Sequence, residues 1–452
     1  MLVGDDRGAT GPADASEVGR PHPPQESTLQ ESTLQESKPT LGRCVGVPTE
    51  EFAGHFWATA PLLTPAGPAG AGFADLFSAE AVDELISARG LRTPFLRMAK
   101  NGSVLATSVF TRSGGVGAGI ADQVADDKVL AQLAGGATLV LQALHRTWPP
   151  LIAFGTQLAG ELGHPVQINA YITPPENQGF ADHYDTHDVF VLQIAGSKRW
   201  TIHQPVIDDP LPSQTWEQRK AQVAARATET PLIDTVLRPG DALYLPRGFL
   251  HSAVAQGEVS IHLTVGVHPL TAYDLARELI AAAAADRELR RSLPLGVDVT
   301  DAASMGDHIQ AAAKRLAVAV GAAGPAEFEP IARKVGRQQV GETRPAPLGP
   351  LAQLAALREL TPGTWLTLRP GSRPILRRSA ERLTLDVIDS TVSWPAQVHD
   401  ALLTVVSGAA FRPVDLPGLD AEEQLVVARR LLREGVVIPV DAARASGSHP
   451  GD

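Results

Sequence analysis

Between residues 166 and 271 the chain breaks into short runs: VQINAYITPP, VFVLQIAG, RWTIHQP, DALYLP and VSIHLTVGVHP. β-Branched and aromatic residues dominate them, and Gly and Pro separate them. Such runs are too short for ordinary helices, and their side chains suit a pleated, half-buried surface. Several in succession predict an all-β sandwich or barrel. This segment fixes the frame in which the flanks are read.

With 452 residues the chain can hold two or three domains. Residues 1–45 are rich in Pro, Gly, Ser and Gln, and QESTLQESTLQES at 25–37 repeats a five-residue unit. Such a stretch buries too little apolar surface to offset its ordering entropy, so a disordered tail is predicted. SAEAVDELISARG at 78–90 reads as a helix, with Ser78 as N-cap and Gly90 at its end. After the β segment the period turns helical. TAYDLARELIAAAAADRELRRSL opens with the capping pattern Thr271…Asp274, and an Ala-rich run follows at 307–322. Residues 271–345 therefore read as a helical region, either a dimerisation element or a layer folded back on its own barrel. Residues 346–372 read as a Pro-rich linker. Strand-like LTLDVIDSTVSW and the helices PAQVHDALLTVVSG and DAEEQLVVARRLLREG make 373–445 a small α+β, winged-helix-like module.

The formal net charge is −11. That argues against a nucleic-acid binder held by phosphate contacts and suits a basic protein or peptide partner. The acidic first turn at Asp420, Glu422 and Glu423 also speaks against presenting that helix to phosphates. One cysteine, Cys44, rules out a disulfide framework or a thiolate metal site. No apolar run approaches a membrane span, and the N-terminus lacks an apolar signal core, so a soluble cytoplasmic protein is expected.

Six of the 13 histidines lie between residues 183 and 268. ADHYDTHD places His183, Asp185 and His187 two apart, which in a strand puts them on one face. His-x-Asp alone is weak, since a chain this long shows it by chance roughly once. Residues 240–251, GDALYLPRGFLH, add G-D-x4-P-x-G-x2-H. Gly240 and Asp241 make a turn, a strand follows, and Pro246 and Gly248 bend the chain so that His251 faces inward. This is the second signature of the cupin barrel. His183, Asp185 and His251 then supply two imidazoles and one carboxylate, the ligand set of non-haem Fe(II) oxygenases. His187 is expected to lie behind the ligands, to face substrate, or simply to line the barrel.

NAYITPPENQGFADHYDTHDVFVLQIAGSKRW followed by PGDALYLPRGFLHSA resembles the JmjC-type ribosomal oxygenases: bacterial arginine and human histidine hydroxylases of ribosomal proteins. FWATAPLL at 56–63 resembles their N-terminal entry motif, and the likeness spans about residues 46–270. It implies a double-stranded β-helix (cupin/JmjC) core followed by dimerisation helices and a winged helix, with Fe(II) as metal and 2-oxoglutarate as cosubstrate. By position, His183, Asp185 and His251 match the iron ligands. Lys198 matches the base that holds the distal carboxylate of 2-oxoglutarate. Asn169 matches a position near metal and cosubstrate, with Tyr171 on the same face, and Ser260 a cosubstrate hydroxyl, with His262 two residues on. The expected activity is hydroxylation of a side chain in a protein or peptide substrate by a homodimeric enzyme. Two alternatives stay open: a tailoring hydroxylase of peptide natural products, and a non-oxidative metal-binding cupin.

Overall fold

A computed structural model describes residues 39–67, 72–100, 102–379, 382–387 and 390–441. The repeats at 25–37 lie outside the described residues. The boundary at 45 that composition gave cuts through folded chain. Thr40–Val45 is a helix, with Leu41, Cys44 and Val45 buried in the main core. The amides of Thr40 and Leu41 donate to the Glu161 carboxylate at 2.9 and 2.7 Å. Its single i, i+3, i+4 apolar set is too brief to register as a period in the sequence.

Strands between Leu62 and Val267 build the β core. Its sheet is antiparallel throughout and runs in the order Leu62–Thr64, Ala242–Leu245, Asp188–Pro205, Phe249–Val267, Val166–Thr173, Thr138–Leu141, Leu96–Lys100, Ser103–Val104. Ile233–Leu237 adds to the outside of Asp188–Pro205. The strand runs visible in the sequence are present, but two of them fuse into one long bent strand, and another is the second half of the long strand Phe249–Val267. VFVLQIAG and RWTIHQP form one strand through Gly196, whose φ is +59° and whose missing Cβ would stand 2.2 Å from the Val259 carbonyl oxygen. The glycine that read as a separator is where the strand bends against its partner. Helix Ala79–Ser87 forms as expected, with Ser78 Oγ accepting from the Ala81 amide. Trp57, in the FWATAPLL stretch, stacks on Tyr244, whose hydroxyl accepts from the Ala58 amide at 2.9 Å.

Beyond the core, helices Ala272–Ala283, Ala302–Gly321 and Pro325–Thr343 form an arm with no buried side chain among its described residues. The Thr271–Asp274 capping box is made. Ion pairs Asp286–Arg315 and Glu278–Lys334 tie the arm together at 2.5 and 2.6 Å. The stretch 346–372 is not a linker. It holds helix Pro350–Glu359 and strand Leu366–Leu368, which pairs with Val437–Pro439. Gln353 Nε2 donates to the Leu432 and Val437 carbonyls at 2.8 and 2.7 Å. The prolines that suggested a linker include Pro350 in the first helical turn, where the missing N–H costs nothing. The C-terminal module has its own core around Leu366, Leu385, Trp394, Leu402, Leu431 and Val437. It is α+β, with the three-stranded sheet Ile375–Arg378, Arg382–Asp386 and Thr391–Pro395.

The turn before His251 is held from two sides. Asp188, fully buried, accepts from the Arg247 amide at 2.9 Å and the Tyr244 hydroxyl at 3.2 Å. Gly248 sits at φ +89°, and a Cβ there would stand 2.4 Å from the Ile207 carbonyl oxygen. Gly248→Ala is therefore expected to lower stability by about 1–3 kcal/mol, read as a drop in the urea midpoint, and to loosen the placement of His251.

Candidate metal centre

His183 and His251 are brought together by main chain. The His183 amide donates to the His251 carbonyl at 3.1 Å, and the His251 amide returns a bond to His183 at 2.8 Å. The Gly248 amide donates to the Asp185 carbonyl at 3.0 Å. The segment 183–187 is not a regular strand: His183 lies in an isolated bridge and the strand starts at Asp188. The one-face expectation fails for that reason. His187 does not join the three ligand candidates: its ring meets His268 at 5.1 Å between centres, and its Nε2 accepts from Gln167 Nε2 at 3.3 Å.

The ligand atoms of His183, Asp185 and His251 lie within 4.8 Å of one another, and His251 Nε2 is 3.8 Å from Asp185 Oδ2. Two ligands each about 2.1 Å from one ion stand at most about 4.2 Å apart, so a small closure completes the set. Both imidazoles are oriented for it. His183 Nδ1 donates to the Ala181 carbonyl at 2.7 Å and His251 Nδ1 to the Phe249 carbonyl at 3.0 Å, leaving each Nε2 lone pair free. Burial and the neighbouring His183 push His251 down to about 4, so it is neutral, as a ligand must be. Burial raises Asp185, but His187, His183, His251 and Arg97 outweigh it and hold the carboxyl below its usual range. Three donors on one side of an ion leave the other side open.

These groups open onto a cavity of about 370 Å³. On its wall Lys198 is only 4 % exposed, with Nζ donating to Thr173 Oγ1 at 3.0 Å; Thr173 Oγ1 in turn accepts from Thr138 Oγ1 at 3.2 Å. No carboxylate pairs with Lys198 among the described residues, and burial pushes its ammonium down to about 7. A buried cation next to two hydroxyls and an open cavity is a seat for an anion. Tyr171 and His262 stack at 5.0 Å and line the same cavity, with Trp200 edge-on to His262. Burial and the Lys198 charge hold His262 well below the usual imidazole range.

Asn169 and Ser260 are not part of this wall. Asn169 Oδ1 accepts from the Ala143 amide at 3.0 Å, and the fully buried Ser260 hydroxyl accepts from Gln193 Nε2 at 2.9 Å. Both polar groups are spent on holding the chain. Thr173, Thr138 and Arg97 were missed. Thr173 was findable, because it lies two residues past Tyr171 on the same strand face. Arg97 and Thr138 come from strands with no motif.

A JmjC domain model matches residues 156–275. The His183, Asp185 and His251 cluster and the bent antiparallel sheet around it are in keeping with a cupin of the JmjC type over this part of the chain. The segment is a JmjC domain. Curated relatives include the bifunctional lysine-specific demethylase and histidyl-hydroxylase NO66 of Drosophila persimilis, 35 % identical over 156 residues, covering 32 % of this chain and 22 % of that protein. The Drosophila melanogaster NO66 is 37 % identical over 146 residues, 29 % of this chain and 20 % of that one. The chain thus spans about a fifth of these relatives. Among solved structures, Escherichia coli ribosomal oxygenase YcfD aligns over 87 % of this chain and 98 % of its own, at 19 % identity and a TM-score of 0.47. Its complex with cobalt and 2-oxoglutarate aligns at 17 % identity, a TM-score of 0.46, and 88 and 99 % coverage. Among the described residues no helix is long and apolar enough to cross a membrane.

Asp185→Ala is expected to weaken Co(II) or Mn(II) binding at least 100-fold, on the order of 3 kcal/mol, with the fold intact. Calorimetric titration of the metal checks it; unchanged affinity would show that the three side chains do not share an ion.

Proposed function

We propose that this chain is an Fe(II)- and 2-oxoglutarate-dependent oxygenase that hydroxylates a side chain of a protein substrate, of the ribosomal-protein kind. One observation carries the reading: a two-His, one-carboxylate set and a buried, carboxylate-free Lys198 face one cavity. A non-oxidative cupin has no use for that buried cation. The histidyl-hydroxylase relatives support a protein side chain as substrate. Arg97 lines the cavity over the Phe180 ring with its Nε unpaired, so a neutral side chain is favoured over a cationic one.

Iron(II) with 2-oxoglutarate supplies dioxygen activation coupled to oxidative decarboxylation, which delivers an oxygen atom to a C–H bond. The chain's own part is placement. His183 and His251 present neutral Nε2 atoms, and Asp185 brings one negative charge. Lys198, with Thr173 and Thr138, holds the distal carboxylate. Tyr171, His262 and Trp200 wall the cavity and keep bulk water from the reacting atoms. Trp216 and Glu217 stand at its edge, on a segment tied down by the Tyr184 hydroxyl donating to the Gln214 carbonyl at 2.7 Å.

We also infer that the helical arm pairs two copies. Ile280, Ile309 and Val318 are more than half exposed on it, an apolar surface that two-fold pairing buries. The reading further takes the C-terminal module as winged-helix-like and the site of action as cytoplasmic, in keeping with a single, buried, free Cys44.

Lys198→Ala is expected to raise the 2-oxoglutarate KM by about 2–4 kcal/mol equivalent, leaving the fold intact. In the wild type, an ammonium near 7 means cosubstrate binding takes up a proton above that pH. Affinity for 2-oxoglutarate therefore falls as pH rises through 7 and 8, which a titration series reads directly. Product analysis by mass spectrometry on ribosomal proteins of the same cell tests the substrate: a gain of about 16 Da that requires Asp185 supports hydroxylation, and succinate release without modified protein refutes the protein substrate. Light scattering should give twice the monomer mass, falling to one when residues 271–345 are removed; a monomeric full chain rules out the pairing.

A further inference from the structure

A second cavity, of about 240 Å³, shares no lining residue with the cavity onto which His183, Asp185 and His251 open. Helix Pro149–Leu162 and the start of strand Val166–Thr173 form one wall, and the chain leaving helix Pro325–Thr343 forms the other. Three arginines converge on it: Arg146, Arg344 and Arg369.

Most arginines in ion pairs here face a carboxylate, as Arg199 faces Asp234 and Arg43 faces Asp75. These three have no carboxylate within 4.0 Å among the described residues. What holds two of them is main chain. Arg146 Nη2 donates to the Glu342 carbonyl at 2.9 Å, and Arg369 Nε to the Ala346 carbonyl at 2.6 Å. The carboxylate of Glu342, whose carbonyl holds Arg146, accepts from Gln338 Nε2 at 3.1 Å. Arg344 follows the helix at φ +47°, a conformation that a non-glycine residue adopts only under constraint. Its charge is close enough to Arg146 to add to the burial that pushes Arg146 down, and burial also lowers Arg369.

A chain of net charge −11 has carboxylates to spare, so three like charges left together around a void are costly unless something fills it. A fourth donor is prepared. His145 lines the cavity, and its Nδ1 accepts from the Ile168 amide at 3.0 Å, so the ring proton sits on Nε2. Guanidiniums fixed by carbonyls keep their remaining N–H groups for a planar or tetrahedral oxyanion.

We propose that this cavity binds a small, multiply charged oxyanion of the phosphate class, clamped by Arg146, Arg344 and Arg369 with His145 as a further donor. Its volume suits a free phosphate, a pyrophosphate or the phosphorylated end of a metabolite. The overall negative charge disfavours a polynucleotide backbone. The site is independent of the oxygenase reading.

The test is calorimetric titration of the full chain with inorganic pyrophosphate, alongside thermal unfolding with and without it. The wild type should bind and its unfolding midpoint should rise. Arg344→Gln and Arg146→Gln should each weaken binding at least about tenfold. The Arg344 side chain is exposed and makes no hydrogen bond or ion pair among the described residues, so its variant tests the site without touching the core. Lys198→Ala, in the other cavity, should bind as the wild type does. The proposal is overturned by any of three results: no binding or shift at about 10 mM pyrophosphate, equal affinity in the arginine variants, or loss of binding in Lys198→Ala. Tighter binding of a single-stranded oligonucleotide than of pyrophosphate would also overturn the small-anion assignment.

Discussion

Two main-chain hydrogen bonds, exchanged between His183 and His251 at 3.1 and 2.8 Å, are the constraint on which the site depends. They join segments 68 residues apart (251 − 183) and set the two imidazoles side by side before any ion arrives. Each ring is then turned by its own Nδ1–H bond to a carbonyl two residues back. Backbone does the work because backbone geometry is least sensitive to side-chain rotamers. The turn that delivers His251 is itself secured by buried Asp188, by Arg247 and by the close approach at Gly248.

Charge is distributed around this frame with a consistent logic. Buried charges that serve structure are paired, as Asp188 is with Arg247. The buried ammonium of Lys198 has hydroxyls for company but, among the described residues, no counter-charge, which destabilises it unless an anion binds beside it. The arginines of the second cavity repeat the pattern at lower burial. In both, main-chain or hydroxyl contacts position a cation and leave its charge unanswered.

The arm and the module follow other rules. The arm's helices bury none of their described side chains and cohere through capping and ion pairs such as Glu278–Lys334. Exposed pairs of that kind contribute little, about 0–1 kcal/mol each. The arm therefore leaves apolar surface in water, whereas the C-terminal module closes a core of its own.

Local sequence determined those features whose cause is local. Strand runs, the Thr271 capping box, and the metal-ligand candidates His183, Asp185 and His251 follow from spacing, side-chain chemistry and family resemblance. Lys198 was named only through the family resemblance. Tertiary structure alone decided which neighbours a side chain meets. His187 left the ligand face because 183–187 is a turn-rich bridge and not a strand. Asn169 and Ser260 were drawn off by the Ala143 amide and Gln193, groups from distant parts of the chain. Arg97 and Thr138 reached the cavity from strands that carry no signature. Arg146, Arg344 and Arg369 are scattered over more than 200 residues (369 − 146) and met only because the chain after the arm returns to helix Pro149–Leu162. Periodicity and motif report what a residue does to its own segment. Contacts across the fold depend on packing that many segments settle together.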